Sequence, residues 1–170
     1  FIKSIIDICH CFLFSMAVNI GDEAPNFELV DTELKMRTLD EFKGKKIVIS
    51  FIVAASSPVC EVELCTFRDS WEEISKLGAQ VIAISNDGPF ANKAFAEKNH
   101  YNFPLLGDYK SQTIRDYDVL MPHLLHVKDY NAAKRSVFVI DENGIVVYKW
   151  ISEDPLKEPN YQEIIEVLKK

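Results

Sequence analysis

Two short runs of mostly β-branched residues, joined by an amphipathic segment, constrain the fold of this chain more than any other feature. The runs cover residues 47–53 and 80–85. Between them, from about Cys60 to Leu77, apolar residues recur every three or four positions, and Gly78 follows. Short continuous apolar runs are typical of buried strands, whereas this spacing predicts a helix with one apolar face. The sequence therefore predicts a strand, a helix and a second strand.

The remaining elements predict how this unit is extended. A short strand (27–30) and a helical turn (38–42) precede it, and a helix (90–99), an extended segment (103–108) and a short helix (111–117) follow. Residues 137–140 and 145–148 predict a hairpin, because Asn143-Gly144 lies in the turn between them. An amphipathic helix over 161–170 ends the pattern. This order predicts an α/β fold with a mixed central β-sheet flanked by helices.

Length and composition fit an ordinary globular domain. The chain has 170 residues, of which 48% are apolar and 26% charged, so a mainly disordered chain is excluded. No apolar run reaches the roughly 18 residues that span a bilayer, and we expect no membrane partner. The net charge of −7 repels phosphate backbones, so nucleic acid is not an expected partner.

The first 15 residues are treated separately from residues 16–170, which we interpret as a single domain. Asp7 and His10 interrupt the apolar stretch before Met16, and no clear cleavage site for a secretory signal follows. Three interpretations remain open for residues 1–15. They are an extension that arises from a wrongly assigned start, a packed helix or strand, or an atypical targeting segment.

The cysteine count indicates a reducing compartment. Cys9 and Cys11 lie in the first 15 residues, and only Cys60 and Cys65 lie in the remainder. Two cysteines are too few for a disulfide-stabilised secreted domain, so we expect a cytoplasmic protein that uses its thiols chemically. The chain has no glycine-rich phosphate loop and no zinc-finger spacing, and we expect neither an organic cofactor nor a metal.

Cys60 is the main candidate for a reactive residue. It follows a predicted buried strand and lies in the first turn of the predicted helix, after Ser57 and Pro58. Unpaired N–H groups and the helix dipole favour an anion there, which predicts a lowered thiol pKa and a nucleophilic thiolate. Ser57 is placed to donate a hydrogen bond to this thiolate or to a bound oxygen substrate. The alternative is that Cys60 only fills space in the core.

Cys65 lies five residues after Cys60 on the same predicted helix. On an ideal helix this spacing separates the two Cα atoms by about 8.7 Å. A disulfide needs a separation of roughly 4.4–6.8 Å, so the two thiols bridge only after the first turns unwind. The alternative is that Cys65 packs in the interior.

Four segments in order resemble peroxiredoxins. Residues 21–27 (GDEAPNF) are similar to the G-x-x-A-P-x-F opening of that family, and residues 54–69 are similar to its active-site segment, P-x-x-x-T/S-x-x-C. Residues 103–108 (FPLLGD) and 135–141 (RSVFVID) match two further family stretches. The Cys-x4-Cys pair resembles the Q-type subgroup, also called bacterioferritin-comigratory. The resemblance covers residues 19–170.

This resemblance implies a thioredoxin-like fold and the reduction of hydrogen peroxide and organic hydroperoxides. It makes Cys60 the peroxidatic cysteine, which is oxidised to a sulfenic acid, and Cys65 the resolving cysteine, which forms a disulfide with it. A thioredoxin- or glutaredoxin-like partner then restores both thiols. Ser57 matches the motif's Thr/Ser, and Arg135 matches an arginine that stabilises thiolate and peroxide. The expected oligomeric state is a monomer or a homodimer.

The expected substrate pocket contains one departure from the family. Glu63 matches an acidic residue often found three positions after the cysteine, and Pro58 and Val59 complete the pocket with Val53. The motif has proline at the position of Val53, where it shields the thiolate. This departure motivates a second hypothesis, a non-catalytic thioredoxin-fold redox sensor or interaction module. A third hypothesis is a cysteine hydrolase that pairs Cys60 with a histidine, either His123 or His126.

Overall fold

The computed structural model describes residues 17–170, and the interpretations of residues 1–15 lie outside this part. The strands are β1 (Glu28–Val30), β2 (Met36–Thr38), β3 (Lys46–Phe51), β4 (Ala79–Ser85), β5 (Leu105–Gly107), β6 (Leu120–Met121), β7 (Ala132–Ala133), β8 (Ser136–Ile140) and β9 (Val146–Ile151). The helices are α1 (Pro58–Asp69), α2 (Trp71–Lys76), α3 (Pro89–Asn99), α4 (Gln112–Asp116) and α5 (Tyr161–Leu168). Two short 3-10 turns cover Leu39–Phe42 and Leu124–His126.

Seven of the described strands form one mixed sheet, in the order β2-β1-β5-β4-β3-β8-β9. Strands β3, β4 and β5 run parallel to one another, whereas β8 and β9 pair antiparallel on one side and β1 and β2 on the other. Strands β6 and β7 form a separate pair. The predicted α/β fold with a mixed central sheet is therefore confirmed.

The central strand β3 buries side chains on both faces of the sheet. Successive side chains of a strand point to opposite faces. Ile47, Ile49 and Phe51 accordingly lie in one apolar cluster, while Val48 lies in the other cluster together with Cys60 of α1. Burial on both faces explains why the strand appears in the sequence as a continuous apolar run.

The sequence predicts one helix over residues 60–77, but the structure divides it at Ser70. The ψ angle of Ser70 is 2°, and its backbone N–H still donates to the carbonyl of Thr66 at 3.0 Å. The apolar spacing does not reveal the break, because Phe67 and Ile74 both pack into the same buried cluster. The prediction of one continuous helix was therefore wrong, although the apolar face was placed correctly.

The predicted C-terminal hairpin is confirmed as β8 and β9. In its turn, the Asp141 side chain accepts hydrogen bonds from the backbone N–H groups of Asn143 and Ile145, each at 2.9 Å. Gly144 takes a positive φ of 84°, which glycine adopts without strain. Strands β2, β6 and β7 were not predicted, because they have three residues or fewer and carry no periodic signal.

No helix within residues 17–170 has both the length and the apolar character that crossing a bilayer requires.

Candidate active site

Cys60 is the third residue of α1, in the helical turn that follows the loop after β3. Pro58 begins the helix, and Ser57 is the N-cap residue with extended backbone angles (φ −67°, ψ 135°). Proline suits the first position because it lacks the N–H group that a first turn leaves unpaired. The remaining N–H groups and the helix dipole favour negative charge at this end. Cys60 itself is fully buried, with 0% of its surface exposed.

The guanidinium group of Arg135 lies against the Cys60 sulfur. Its Nη2 atom donates to Cys60 Sγ at 3.4 Å, and its Nη1 atom donates to Glu63 Oε2 at 2.5 Å. Arg135 directly precedes β8, and α1 follows β3. Because β8 pairs with β3, the sheet brings Arg135 and Cys60 into contact although they lie 75 positions apart in the sequence. The predicted residues Cys60, Glu63 and Arg135 therefore meet in one buried site.

Glu63 lies one helical turn after Cys60 and fixes the orientation of the guanidinium group. Its Oε1 atom accepts a hydrogen bond from Ser50 Oγ at 2.7 Å, and its Oε2 atom accepts the bond from Arg135. Both carboxylate oxygens thus have a donor in a site that excludes water. Ser50 was not predicted as a site residue, although its polar side chain interrupts the apolar run of β3.

The carbonyl of Pro155 completes the surroundings of Arg135. It accepts hydrogen bonds from Nε at 3.1 Å and from Nη2 at 2.7 Å. Pro155 lies in the loop between β9 and α5, so the segment after the hairpin returns to cover the guanidinium group. No side-chain pattern identifies this contact in the sequence, because it is made by a backbone oxygen.

Burial and charge act in opposite directions on these groups. Burial opposes the positive charge of Arg135, but the neighbouring Cys60 and Glu63 raise its pKa above the ordinary value. Burial raises the pKa of Glu63, while Arg135 and Ser50 oppose that rise. The guanidinium group therefore stays charged next to the sulfur, and the carboxylate depends on Arg135 for its negative charge.

Cys65 lies farther along the same unbroken helix, and both thiols are free. Cys65 is partly buried, and its Sγ atom lies 3.9 Å from Asn99 Oδ1, at the end of α3. Since α1 is regular from Pro58 to Asp69, the helical spacing of about 8.7 Å between the two Cα atoms applies. The structure thus presents the two cysteines in a separated arrangement.

Comparison with known proteins identifies the family. The AhpC/TSA family profile matches residues 20–149, and peroxiredoxin Bcp of Escherichia coli (strain K12) is 32% identical over 145 residues, which cover 85% of this chain and 91% of that protein. The chain belongs to the AhpC/TSA family. The relatives that it matches in this family are named peroxiredoxins, which are peroxidases and therefore oxidoreductases. The predicted enzyme class is confirmed.

Further relatives of this peroxiredoxin support the predicted Q-type subgroup and fold. Chloroplastic peroxiredoxin Q of Populus jackii is 38% identical over 129 residues, which cover 76% of this chain and 58% of that protein. The crystal structure of peroxidoxin BcpB from Mycobacterium tuberculosis superposes with a TM-score of 0.80 at 28% identity and covers 89% of this chain and 97% of that one. The resemblance and the thioredoxin-like fold are both confirmed.

The other predicted pocket residues of this peroxiredoxin lie around the start of α1. Val53 is almost completely buried in the same apolar cluster as Cys60, whereas Pro58 is exposed and Val59 is partly buried. Ser57 is partly buried, and within residues 17–170 its hydroxyl group makes no hydrogen bond. Its expected bond to the Cys60 thiolate is thus absent here, and its role towards a bound oxygen stays a prediction.

The two histidines that a hydrolase could use are exposed, whereas the Cys60 sulfur is buried. His123 and His126 are exposed in and beside the 3-10 turn Leu124–His126, and His123 Nδ1 accepts from the backbone N–H of Asp129 at 2.9 Å. Across the described residues, no histidine forms a hydrogen bond with Cys60. The geometry therefore favours the pairing of Cys60 with Arg135. Likewise, residues 17–170 bring together no group of three potential metal-binding side chains.

Proposed function

We propose that this peroxiredoxin reduces hydrogen peroxide and organic hydroperoxides at Cys60, with Cys65 as the resolving cysteine. The observation that carries the proposal is the buried guanidinium group of Arg135, 3.4 Å from Cys60 Sγ. Cleavage of a peroxide begins with a negative sulfur and ends with a negative leaving oxygen. A fixed cation next to the sulfur stabilises both charges, and the start of α1 adds the favourable end of a helix dipole.

The first step is the attack of the Cys60 thiolate on one peroxide oxygen, in line with the O–O bond. The S–O bond forms as the O–O bond breaks, so sulfur is oxidised to a sulfenic acid and the peroxide is reduced. The departing oxygen takes up a proton and leaves as water or an alcohol. Arg135 balances the charge on that oxygen, and the hydroxyl group of Ser57, the N-cap residue of α1, orients the substrate.

The second step is condensation of the sulfenic acid with the Cys65 thiol. A disulfide forms, and the sulfenic oxygen leaves as water. Because the intact helix separates the two Cα atoms by about 8.7 Å, the first turns of α1 unwind before the sulfurs meet. Disulfide formation is therefore coupled to a local change of fold.

The third step is reduction of the disulfide by two successive thiol exchanges with a thioredoxin- or glutaredoxin-like protein. A reductant of this kind operates in a reducing compartment, which we propose to be the cytoplasm. Residues 16–170 form the working domain in this proposal, as a monomer or a homodimer. No organic cofactor enters these steps, since the thiols supply the two electrons that the peroxide accepts.

The alternative function, a non-catalytic redox sensor or interaction module, keeps one supporting observation. Val53 replaces the motif's proline and packs in the core with 5% of its surface exposed. A sensor of this type would be oxidised by peroxide only as slowly as an ordinary thiol. The rate of the first step therefore separates the two functions.

Stopped-flow fluorescence of the reduced chain tests the proposal. Trp71 and Trp150 pack against the cluster that contains Cys60, so they are placed to report its oxidation. We expect oxidation about 100-fold or more faster than that of a free cysteine, because a preorganised charge contributes a factor of this size. Intact mass after one equivalent of peroxide should show the loss of two hydrogens, mapped to Cys60 and Cys65.

Two variants control this experiment. Cys60→Ser should consume no peroxide, and Cys65→Ser should complete one fast oxidation and then fail to turn over with thioredoxin. Peroxide consumption by Cys60→Ser at the parent rate would contradict the proposal. A parent chain that oxidises only as slowly as a free thiol would favour the sensor.

A further inference from the structure

The reduced thiol of Cys65 is held by a residue outside α1. Its Sγ atom lies 3.9 Å from Asn99 Oδ1, in a geometry in which the thiol donates and the amide oxygen accepts. Asn99 is the last residue of α3 and only 7% of its surface is exposed. Within residues 17–170 the Cys65 sulfur has this amide oxygen as its acceptor, and the Tyr101 hydroxyl group also lies next to that sulfur. The contact therefore joins the resolving thiol to a neighbouring helix.

Asn99 is itself fixed from two sides. Its Nδ2 atom donates to the carbonyl of Phe95 at 3.1 Å, within the last turn of α3. Its own carbonyl accepts a bond from Arg68 Nη1 at 2.5 Å. Arg68 lies on α1 one turn beyond Cys65, so both residues of α1 bind to Asn99. The amide is thus preorganised as an acceptor while α1 is intact.

Aromatic packing holds the segment around Asn99 in place. The ring of Tyr101 meets Phe95 edge-on at 5.3 Å and stacks on Phe103 at 5.4 Å between ring centroids. Tyr101 Oη is buried and lacks a hydrogen-bond partner among the described residues. Burial raises the pKa of Tyr101, and the neighbouring Cys65 adds to that rise. The Tyr101 side chain next to Cys65 is therefore packed between two aromatic rings, and its hydroxyl group remains protonated.

We propose that Asn99 is a positioning residue that holds the reduced Cys65 thiol in the intact α1 and thereby slows its condensation with the Cys60 sulfenic acid. The inference rests on the function proposed above. Release of Cys65 from α1 breaks its bond to the amide oxygen. Asn99 thus adds to the barrier that separates the helical arrangement from the unwound one.

This barrier matters because the Cys60 sulfenic acid has two competing fates. Condensation with Cys65 gives the disulfide and water. A second peroxide instead oxidises the sulfenic acid to a sulfinic acid, and that peroxide is reduced to water or an alcohol. Slow release of Cys65 favours the second fate at high peroxide concentration. Asn99 therefore lowers the peroxide concentration at which the enzyme inactivates itself.

Two substitutions at one position test the role of the acceptor. Asn99→Ala removes the oxygen, and we expect disulfide formation about threefold faster, with less sulfinic acid at high peroxide. Asn99→Asp loses the Nδ2 bond to Phe95 but keeps an oxygen acceptor, so it should form the disulfide no faster than the parent. Asn102→Ala, which changes an exposed residue of the same segment, is the matched control and should behave as the parent.

The measurement follows both steps in one full-length sample. Quenched-flow mass spectrometry after one equivalent of peroxide gives the rates of sulfenic acid and disulfide formation, and excess peroxide gives the sulfinic fraction. The first rate should be the same in all variants. If Asn99→Ala does not fold, Asn99→Leu, which is similar in volume and also lacks the acceptor, replaces it.

Three outcomes would overturn the inference. One is an unchanged or slower disulfide step in Asn99→Ala. A second is equal acceleration in Asn99→Ala and Asn99→Asp, because that would trace the effect to the lost bond with Phe95. A third is a parent chain that forms no Cys60 sulfenic acid, which would overturn the proposed function as well. In the first two outcomes normal sulfenic acid formation leaves that function standing.

Discussion

Arg135 binds three acceptors at once: the Cys60 sulfur, the Glu63 carboxylate and the Pro155 carbonyl. The planar guanidinium fork reaches all three, whereas a lysine ammonium is a single point of charge. Removal of one partner from a buried ion pair costs about 3–5 kcal/mol, because the remaining charge loses its partner. We therefore expect this residue to support both the chemistry and the stability of the site.

Arg135→Lys separates these two contributions. It keeps a positive charge but loses the fork, so we expect the rate constant for peroxide oxidation to fall by about 100-fold. Arg135→Met loses the charge as well and should lower the free energy of unfolding by about 3–5 kcal/mol. Stopped-flow oxidation and urea unfolding measure the two effects. A parent-like rate in Arg135→Lys would show that the fork is not needed.

A double variant controls for the charge that Arg135→Met leaves behind. In Arg135→Met with Glu63→Gln, no unpaired carboxylate remains, and we expect most of the lost stability to return while the rate stays low. Burial already raises the pKa of Glu63 with Arg135 present, which supports this expectation. If the double variant is as unstable as the single one, the buried charge is not the cause.

At the scale of elements, the loop between β3 and α1 is held by the loop after β4. Asp87 Oδ2 accepts a hydrogen bond from the backbone N–H of Ala55 at 2.7 Å. The next residue, Ser56, has a positive φ of 64°, which costs energy for a residue other than glycine. Ser85 Oγ accepts from the N–H of Asp87 at 3.2 Å and donates to Asn92 at 2.8 Å. The position of the loop before α1 thus depends on residues at the end of β4.

Loss of this support should slow peroxide oxidation. Asp87→Ala frees the N–H of Ala55 and the strained backbone next to it, so we expect the rate constant to fall about tenfold, since small displacements at a reacting centre are costly. Asp87→Asn keeps an oxygen acceptor and should retain most of the rate. Glu72→Ala, which removes an exposed charge on α2, is the control. Equal loss in Asp87→Ala and Asp87→Asn would point to charge rather than to loop position.

The helices and strands of this fold were predictable where buried apolar residues recur at a regular spacing along the sequence. Strands β3 and β4 and the apolar faces of α1 and α5 have such periods. The position of Cys60 at the start of a predicted helix made it the main candidate, and the resemblance added Arg135 and the role of Cys65. Ser50, Asp87 and Pro155 were missed because each acts through a contact that exists only after the sheet has formed. The backbone N–H and carbonyl groups in two of these contacts carry no side-chain signal. Tertiary contacts, rather than local patterns, therefore complete the site.

At the scale of the whole molecule, we expect the redox state of the two cysteines to be coupled to the stability of the fold. Glu63 and Leu64 lie between the two cysteines, and both are fully buried in the reduced protein. A Cys60–Cys65 disulfide requires this part of α1 to unwind, which moves both side chains out of their contacts. The reduced and oxidised proteins should therefore differ in stability as well as in chemistry.

We expect the oxidised protein to melt below the reduced one. Unwinding forfeits about 3–5 kcal/mol from the Glu63–Arg135 pair and about 1.5–3 kcal/mol from the burial of Leu64. A disulfide that closes so short a loop returns only about 2 kcal/mol through chain entropy. For a domain of this size the net loss of about 2.5–6 kcal/mol lowers the melting temperature by about 5–25 °C, measurable by calorimetry. An oxidised protein that melts at or above the reduced one would mean that α1 bridges its cysteines without unwinding.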